Sequence, residues 1–243
     1  MPDKKKLFIH GGSSLISKYL IKEFQNEFDE LYVFCRNTEK TKLILECETF
    51  HNKKFYFFEN DLNDLDLTLN DIEKLPNDLS GILWVTGYTG NADIEFEDIE
   101  KARLNLNVNF LNVTISLSKL SKKLTINNNT FICVLTSVAG LRGRNKRLYY
   151  SAAKGGLINF LSGLRQKFNN KVKVVTVIPG YISTNAFKEK APKFLIENPK
   201  ECSQTIFKAI KKNKEIVYIN KLWRIIMWMI LLIPEKIFKK LKF

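Results

Sequence analysis

Residues 6–17 read KLFIHGGSSLIS, a short apolar run that ends in two glycines and two serines and leads into a helical pattern. The run at 6–10 predicts a buried strand, and residues 14–28 predict a helix. A glycine-rich turn between a first strand and its helix lets backbone N–H groups approach a phosphate at the helix N-terminus. The same turn is also an ordinary helix start, so both interpretations stay open at this point. The candidate phosphate-binding residues are Gly11, Ser13, Ser14, Leu15 and Ile16.

The same alternation of short apolar runs and helical patterns continues along the chain. Further strands are predicted at 31–35, 55–59, 81–86, 131–136, 172–178 and 216–219, and helices at 95–123, 148–168 and 199–211. Asp64 and Asp66 are interpreted as a solvated acidic turn. Short, fully apolar strands separated by helices indicate a parallel sheet covered on both faces. We therefore predict an α/β fold, a Rossmann-like, doubly wound sheet of about seven strands, with ligands at the carboxyl ends of the strands.

Length and composition place the chain among globular proteins. Its 243 residues suit one α/β domain, and 45% hydrophobic with 26% charged residues exclude a disordered or collagen-like chain. We assign residues 1–220 to the catalytic domain and 221–243 to an amphipathic tail of that same domain. The formal charge of +14 is compatible with nucleic acid, a membrane surface or a lysine-rich solvated face.

The chain start and the cysteines limit the location and the chemistry. The apolar run after the first lysines ends at Ile9, short of the ~7–15 residues of a signal peptide, which predicts a cytoplasmic protein. The cysteines and histidines are Cys35, Cys47, Cys133, Cys202, His10 and His51. They form no C-x-x-C pair and have no metal-like spacing, so we expect reduced thiols and no metal site.

A candidate catalytic pair lies near the start of the helix predicted at 148–168. Tyr150 and Lys154 in YSAAK stand at positions i and i+4, which share one helix face. A nearby ammonium favours the phenolate and lowers the pKa of tyrosine from its usual value near 10. Ser137 follows the strand at 131–136, so it is expected at the same carboxyl edge of the sheet.

Two strand ends bear on the choice of cofactor. The second strand ends at Arg36, with no acidic residue where an NAD enzyme binds the ribose hydroxyl, so Arg36 can meet the 2′-phosphate of NADP. An exposed arginine after a strand is the alternative interpretation. Asp61 and Leu62 follow the third strand, where a carboxylate can accept from the adenine amino group. NADP(H) is the preferred cofactor, and NAD(H) stays an alternative.

Taken together, these segments resemble the short-chain dehydrogenase/reductase family over nearly the whole chain. The resemblance rests on the HGGSSLIS turn, Asp61-Leu62, Gly87, Asn109, TSVAG, YSAAK, and Pro179-Gly180 with Thr184. It implies that Tyr150 exchanges a proton with the substrate oxygen and that Lys154 lowers the tyrosine pKa and holds the nicotinamide ribose. It implies further that Ser137 hydrogen-bonds the reacting oxygen and that Asn109 fixes a proton-relaying water. The loop expected to touch the nicotinamide and lead into a substrate lid contains Pro179, Gly180, Ile182 and Thr184.

The chain departs from the family pattern at two places. Leu15 and Ser17 occupy the second and third glycine positions of the first turn, and Leu15 is expected to crowd the pyrophosphate unless the loop moves outward. Val85-Thr86-Gly87 stands where the family has Asn-Ala-Gly, which predicts a weakened structural contact. All four catalytic positions are present, so we expect an active enzyme.

Several stretches resemble one branch of the family. SVAGLRGR, FLSGLRQKF, VVTVIPGYIST and the C-terminal segment are similar to decaprenylphosphoryl-2-keto-ribose reductases of cell-envelope polysaccharide pathways. That branch also accepts a non-glycine residue at the Leu15 position. The implied reaction is NAD(P)H-dependent reduction of a keto sugar on a polyprenyl phosphate. Two alternatives stay open, a soluble 3-oxoacyl-thioester or other small carbonyl reductase, and a non-catalytic NADP(H)-sensing protein.

The tail at 221–243 concentrates the positive charge. It holds six Lys or Arg against one Glu, with two tryptophans and many aliphatic residues, which suits a helix lying in a membrane interface. Pro234 is expected to divide it into two short helices. The alternative is a helix pair that covers the substrate cleft or a subunit partner. We expect no nucleic-acid binding, a homodimer or homotetramer paired through 105–120 and 149–168, and a location at the inner face of the membrane.

Overall fold

The computed structural model describes residues 4–46, 53–184 and 191–241. Seven parallel strands form one sheet in the order β3-β2-β1-β4-β5-β6-β9, which confirms the predicted doubly wound architecture. The strands are β1 Lys6–His10, β2 Glu30–Cys35, β3 Lys54–Glu59, β4 Gly81–Trp84, β5 Phe131–Leu135, β6 Lys173–Ile178, β7 Tyr181–Ile182, β8 Ile196–Glu197 and β9 Ile216–Tyr218. The short strands β7 and β8, which the sequence did not predict, pair in a separate two-stranded sheet.

The helices differ from the prediction in number and in length. They are α1 Leu15–Glu23, α2 Thr38–Glu46, α3 Leu65–Glu73, α4 Ala92–Glu97, α5 Ile99–Leu106, α6 Asn112–Ser121, α7 Leu148–Phe168, α8 Pro199–Lys211, α9 Lys221–Leu232 and α10 Glu235–Phe238. The helices α7 and α8 match the prediction, whereas the helix predicted at 14–28 ends at Glu23, and α2 was not predicted.

Two segments of the prediction need correction. Asp64 and Asp66 are exposed, as expected, but they begin a helix and not a turn, because Asp64 caps α3 by accepting from Leu67 N and Asp66 lies in its first turn. The long helix predicted at 95–123 is divided into α4, α5, a π-helical turn at Asn107–Leu111, and α6. Asp98 caps α5 with its carboxylate, and this cap marks the break between α4 and α5.

The core lies on both faces of the sheet because alternate residues of a strand point to opposite sides. In β1, Leu7 and Ile9 pack in one apolar cluster that includes side chains of α1 and α8. Phe8 packs in a second cluster that includes side chains of α6 and α7. The strand order reverses direction between β1 and β4, so the loops after these strands leave a crevice at the carboxyl edge.

Three of the predicted thiols are buried and free, namely Cys35, Cys133 and Cys202. Burial raises the pKa of Cys202 to about 12, so this thiol stays protonated at neutral pH. Cys47 and His51, on which part of the thiol and metal predictions fall, lie outside the described residues.

Candidate functional site

The turn after β1 is built around two glycines. Gly11 has a φ of +93°, and a Cβ there would lie 2.8 Å from Thr86 Oγ1. A Cβ on Gly12 would lie 2.2 Å from Val33 Cγ1. The N–H groups of Gly11 and Gly12 both donate to Phe34 O, at 3.0 and 3.1 Å. The backbone therefore needs glycine at both positions to pass between β2 and the loop after β4.

Serines order the start of α1 behind this turn. Ser14 caps the helix by accepting from Ile16 N at 3.2 Å. Ser17 occupies the third glycine position, and its Oγ donates to Gly11 O at 2.8 Å. Ser13 is exposed and Leu15 is half-buried at the helix N-terminus. The turn thus combines a φ that requires glycine with the positive end of a helix, which fits a dinucleotide phosphate; how Leu15 affects that fit stays a prediction.

A buried histidine joins the two strands that flank the crevice. His10 Nδ1 lies 2.5 Å from Thr86 Oγ1, and its ring stacks on Trp84 with a centroid distance of 4.2 Å. Burial lowers the pKa of His10 to about 3, against a smaller raising effect of Asn60, so the ring is neutral at physiological pH. From the sequence, we considered His10 as part of the first turn and as a possible metal ligand, and Thr86 as a departure from the family pattern. The contact between the two was not predicted.

The ends of β2 and β3 carry the residues predicted for the adenosine half of the cofactor. Arg36 is exposed directly after β2. Asp61 is exposed after β3, and its Oδ1 accepts from Asn63 N at 3.0 Å. Leu62 is buried, and its carbonyl accepts from Asn112 Nδ2 at 2.8 Å. Because β2 and β3 are neighbours, Arg36 and Asp61 lie at one edge of the sheet, where a 2′-phosphate and an adenine can be reached.

The structure brings Tyr150 and Lys154 together on α7. Lys154 is only 2% exposed, its Nζ lies 5.8 Å from the centroid of the Tyr150 ring, and it donates to Leu135 O at 3.3 Å. Burial lowers the pKa of Lys154 to about 8. Ser137 stands two residues after Leu135, and its Oγ accepts from Ala139 N at 3.1 Å. A buried ammonium close to a phenol stabilises the phenolate, which is what proton transfer to or from Tyr150 requires.

Asn109 lies in the π-helical turn, a local widening that often marks functional positions. Its Oδ1 accepts from Tyr88 N at 3.0 Å, and its Nδ2 donates to Tyr88 O at 2.6 Å and to Asn105 Oδ1 at 2.7 Å. A Cβ on Gly87 would lie 3.4 Å from Lys154 Nζ and 3.5 Å from Asn109 Oδ1. The Asn109 side chain therefore holds the loop after β4 next to Lys154, and the predicted water relay stays a prediction.

Glu95 and Asn105, which the sequence did not single out, extend this network. Glu95 is buried, its Oε1 accepts from Asn105 Nδ2 at 2.7 Å, and its Oε2 has no hydrogen-bond partner among the described residues. Gly90 has a φ of +63°, and a Cβ there would lie 1.6 Å from Glu95 Oε1. Gly90 O accepts from Arg147 Nη1 at 3.2 Å, just before the helix that carries Tyr150. The buried Glu95 carboxylate thus lies between Asn105, which accepts from Asn109, and Gly90, whose carbonyl accepts from Arg147 just before α7.

The loop after β6 meets the C-terminal helix. Pro179 O accepts from Val138 N at 3.0 Å, which ties this loop to the segment after Ser137. A Cβ on Gly180 would lie 1.8 Å from Trp223 Nε1 of α9, so glycine is needed for that contact. Ile182 and Thr184 continue the loop and are half-buried. The expected lid beyond Thr184 falls on 185–190, outside the described residues.

The sheet order, the glycine turn at its reversal point and the strand ends define the class of Rossmann-like dinucleotide-binding proteins. A family model described as short chain dehydrogenase matches residues 5–194, and the chain belongs to that family. Members of the family are NAD(P)-dependent oxidoreductases acting on hydroxyl and carbonyl groups. The expected enzyme class is thereby confirmed, while the individual site residues stay predictions.

Curated relatives and a solved structure agree with this family. The chain is 24% identical to hydroxysteroid 11-beta-dehydrogenase 1-like protein A of Xenopus laevis, over 88% of this chain and 77% of that protein. It is 23% identical to a 3-oxoacyl-[acyl-carrier-protein] reductase of Bos taurus, over 78% of this chain and 81% of that protein. A short chain dehydrogenase of Burkholderia cenocepacia, solved in complex with NADP, superposes with a TM-score of 0.78 at 16% identity, covering 99% and 98% of the two chains.

Proposed function

We propose that the protein is an NADP(H)-dependent reductase that acts on a keto group of a polyprenyl-phosphate-linked or other cell-envelope sugar. The observation that carries the reductase chemistry is the buried Lys154 ammonium, 5.8 Å from the Tyr150 ring and at the same sheet edge as Ser137. A reduction adds a hydride to the carbonyl carbon and a proton to its oxygen. The described residues provide a group for the second of these steps.

The protein residues act on the oxygen of the substrate. The nicotinamide cofactor supplies the hydride when it is bound. Tyr150 donates its phenolic proton to the oxygen as negative charge develops there, and Lys154 stabilises the phenolate that is left. Ser137 donates a hydrogen bond to the same oxygen and lowers the energy of the charged transition state. In the reverse direction the Tyr150 phenolate accepts the proton from the substrate hydroxyl.

The residues present fit a phosphorylated dinucleotide. Gly11, Ser13, Ser14, Leu15 and Ile16 form the turn at the N-terminus of α1, where the positive end of the helix can face a phosphate. Arg36 is exposed beside this edge and can pair with a 2′-phosphate, and Asp61 can accept from the adenine amino group. Gly87 and the loop of Pro179, Gly180, Ile182 and Thr184 would border the nicotinamide. The Burkholderia cenocepacia structure, solved with NADP, agrees with NADP(H) as the cofactor.

Different observations favour different substrates. The similarity to keto-sugar reductases and the apolar tail favour a lipid-linked sugar. The relative from Bos taurus favours the alternative, a soluble 3-oxoacyl-thioester reductase. A non-catalytic NADP(H)-sensing protein is the third candidate, and it would leave the buried Lys154 without a chemical role.

Turnover assays separate these three candidates. The full chain is mixed with NADPH and either a 2-keto polyprenyl-phosphosugar or a 3-oxoacyl thioester, and the loss of NADPH absorbance is followed. Tyr150→Phe is expected to lower kcat by at least about a hundredfold while NADPH binding is retained, and the neighbouring Tyr149→Phe serves as the matched control. Reduction of the thioester alone would favour the soluble enzyme. NADPH binding without reduction of any carbonyl would refute the proposal.

We further propose that the protein acts in the cytoplasm, at the inner face of the membrane, as a homodimer or homotetramer. Exposed apolar side chains on α5 and in the segment that follows it favour self-association, namely those of Ile99, Leu111 and Ile115. Light scattering on the purified chain tests this state, and Leu111→Glu is expected to shift the measured mass towards that of a monomer.

A further inference from the structure

From Ile225 to Leu232, helix α9 is apolar on both of its faces, but the protein covers only one. The inner face places Trp223 and Met227 in a buried cluster with Val138 and Ile178. The outer face exposes large apolar side chains, and they are those of Leu222, Ile225, Trp228, Met229 and Leu232. A helix that is hydrophobic all round is normally covered all round, so the outer face of α9 is expected to have a partner.

The charges around this face indicate the chemistry of the partner. The exposed basic residues of α9 and of the segment that follows it are Lys221, Arg224, Lys236, Lys239 and Lys240. The acidic residue of this segment, Glu235, is already paired with Arg142 at 3.0 Å. A second copy of the same surface would bring two sets of positive charges together. An anionic surface complements them, and tryptophan with lysine beside an apolar face is typical of membrane interfaces.

The dimensions favour a helix that lies in the plane of the bilayer. Among residues 4–46, 53–184 and 191–241, every helix is too short or too polar to cross a membrane. Helix α9 has 12 residues. At ~1.5 Å per residue it is ~18 Å long, against a hydrocarbon thickness of ~30 Å. Its exposed face can therefore be buried among the lipid headgroups while its inner face stays on the protein.

Helix α9 is also tied to the loops that carry the predicted site. Arg142, five residues after Ser137, donates through Nη1 to Ile230 O at 2.6 Å and to Ile233 O at 2.8 Å. Its guanidinium lies 3.9 Å from the centroid of the Phe238 ring. At the other end of the helix, Trp223 packs edge-on against Tyr181, with 5.4 Å between the ring centroids. Arg142 thereby satisfies carbonyls at the C-terminus of α9 and holds the helix beside the site.

We infer that the outer face of α9 and the basic residues after it dock on an anionic membrane, so that one helix forms both the membrane contact and the wall of the substrate cleft. The role of the docked state, which is to bring a lipid-linked substrate to the cleft, rests on the proposed function. Because α9 is one helix diameter thick, about 10–12 Å, docking brings the loops of Val138 and Gly180, which α9 contacts, close to the lipid surface. A lipid-linked sugar could then enter the site while its hydrocarbon chain stays in the bilayer. Arg142 and Trp223 are positioning residues in this arrangement.

Vesicle binding by the full chain tests the docking surface. The protein is sedimented with vesicles of equimolar phosphatidylcholine and phosphatidylglycerol, and with vesicles of phosphatidylcholine alone. Binding to the anionic vesicles is expected, with a shift of tryptophan emission to shorter wavelength. Trp228→Glu is expected to weaken this binding by about tenfold or more, because it puts a charge where an aromatic ring enters the interface. Phe96→Glu is the matched control, since Phe96 is 68% exposed on α4 and Trp228 is 64% exposed on α9.

Several outcomes would overturn the inference. They are equal binding to neutral and anionic vesicles, no binding at all, or equal binding by the wild type and Trp228→Glu. Loss of a dimer in Trp228→Glu without any lipid binding would show that a second copy covers this face.

A kinetic comparison keeps the docking surface separate from the reductase proposal. Trp228→Glu is expected to reduce a water-soluble ketone at the wild-type rate and the lipid-linked substrate more slowly. If the wild type binds anionic vesicles but reduces neither substrate, the proposed function fails and the docking surface stands. If the rates on vesicle-held substrate are equal for the two proteins, the link between docking and the cleft is refuted.

Discussion

Replacing Lys154 by methionine is expected to make the cofactor-free protein more stable while it abolishes reduction. Lys154 is almost completely buried, and its Nζ donates to Leu135 O at a long 3.3 Å. Burial lowers its pKa from 10.5 to about 8, so at neutral pH the folded protein carries a poorly solvated ammonium. Methionine has a similar length and no charge, which removes that unfavourable contribution.

The size of the effect follows from the shift in pKa. A fall from 10.5 to about 8, at ~1.4 kcal/mol for each pKa unit, means that the charged form destabilises the folded state by about 3 kcal/mol. Loss of the hydrogen bond to Leu135 offsets about 1 kcal/mol of this. The free energy of unfolding of Lys154→Met should therefore exceed that of the wild type by about 2 kcal/mol at pH 7, with a Tm about 4–8 °C higher.

The pH dependence of unfolding is a separate test of whether the Lys154 charge destabilises the folded protein. Below pH 8 both the folded and the unfolded wild type carry the proton, so the full destabilisation is present. Between about pH 8 and pH 10.5 the unfolded state binds more protons than the folded state, so the wild type gains stability as the pH rises. The methionine variant has no such group. Its advantage should therefore shrink across this window and reverse above it, where only the loss of the hydrogen bond to Leu135 O remains.

Urea and thermal unfolding of the cofactor-free proteins at pH 7 and pH 10 measure the difference. Lys123→Met is the matched control, because Lys123 is also buried but donates to Glu73 O, Leu75 O and Asn77 Oδ1. This second variant should lose stability, since three acceptors lose their donor. A Lys154→Met protein no more stable than the wild type at pH 7, or a difference that is the same at both pH values, would refute the reasoning.

Three further substitutions test other parts of the site. Gly11→Ala should lower both Tm and NADPH affinity, because φ is +93° and the new Cβ would lie 2.8 Å from Thr86 Oγ1; calorimetry showing wild-type binding and stability would contradict this. Arg36→Ala should raise the Kd of NADPH about tenfold by removing a charged hydrogen bond, and leave that of NADH unchanged; fluorescence titrations showing equal losses would argue against a 2′-phosphate contact. Glu95→Ala should lower the free energy of unfolding by ~1–3 kcal/mol and reduce kcat, because Asn105 loses its buried acceptor. Glu95→Gln keeps an acceptor and should retain the wild-type stability and kcat. Equal behaviour of the two variants in denaturation and rate measurements would refute the role of that hydrogen bond.

The seven strands of the main sheet could be predicted from the sequence because each is a short, nearly continuous apolar run between polar segments. The missed helices had weaker patterns. In α3 the apolar residues Leu65, Leu67 and Leu69 alternate with polar ones, a spacing that resembles a strand more than a helix. The preceding Asp64 was the available signal, since an aspartate that caps the first turn commonly starts a helix. The helix α2 offers little periodicity, because its three apolar residues, at 43–45, are consecutive and the other six are polar or charged.

The predicted site shows a similar division between local and long-range information. Tyr150 and Lys154 are four residues apart on one helix, so their proximity follows from helix geometry alone. The contact of His10 with Thr86 and that of Glu95 with Asn105 depend on how separate segments pack. Val85-Thr86-Gly87 stands where the family has Asn-Ala-Gly, and this difference predicted a weakened contact. In the structure, Thr86 of this segment instead forms a hydrogen bond with His10.

The C-terminal tail shows why a composition can support two interpretations at once. Its apolar residues and lysines were compatible with a membrane contact and with a cover for the cleft, and hydrophobic periodicity does not separate these when a helix is apolar all round. Three-dimensional packing separates them by face. Trp223 is buried against the loop of Gly180, whereas Trp228, five residues later, points to solvent. Arg142, five residues after Ser137, donates to a carbonyl at the C-terminal end of the same helix. A displacement of α9 on membrane binding would therefore be passed to the segment that carries Ser137. In this protein the positive charge around α9 is therefore expected to affect which substrates reach the cleft, and the outer-face variants are the place where that link can be measured.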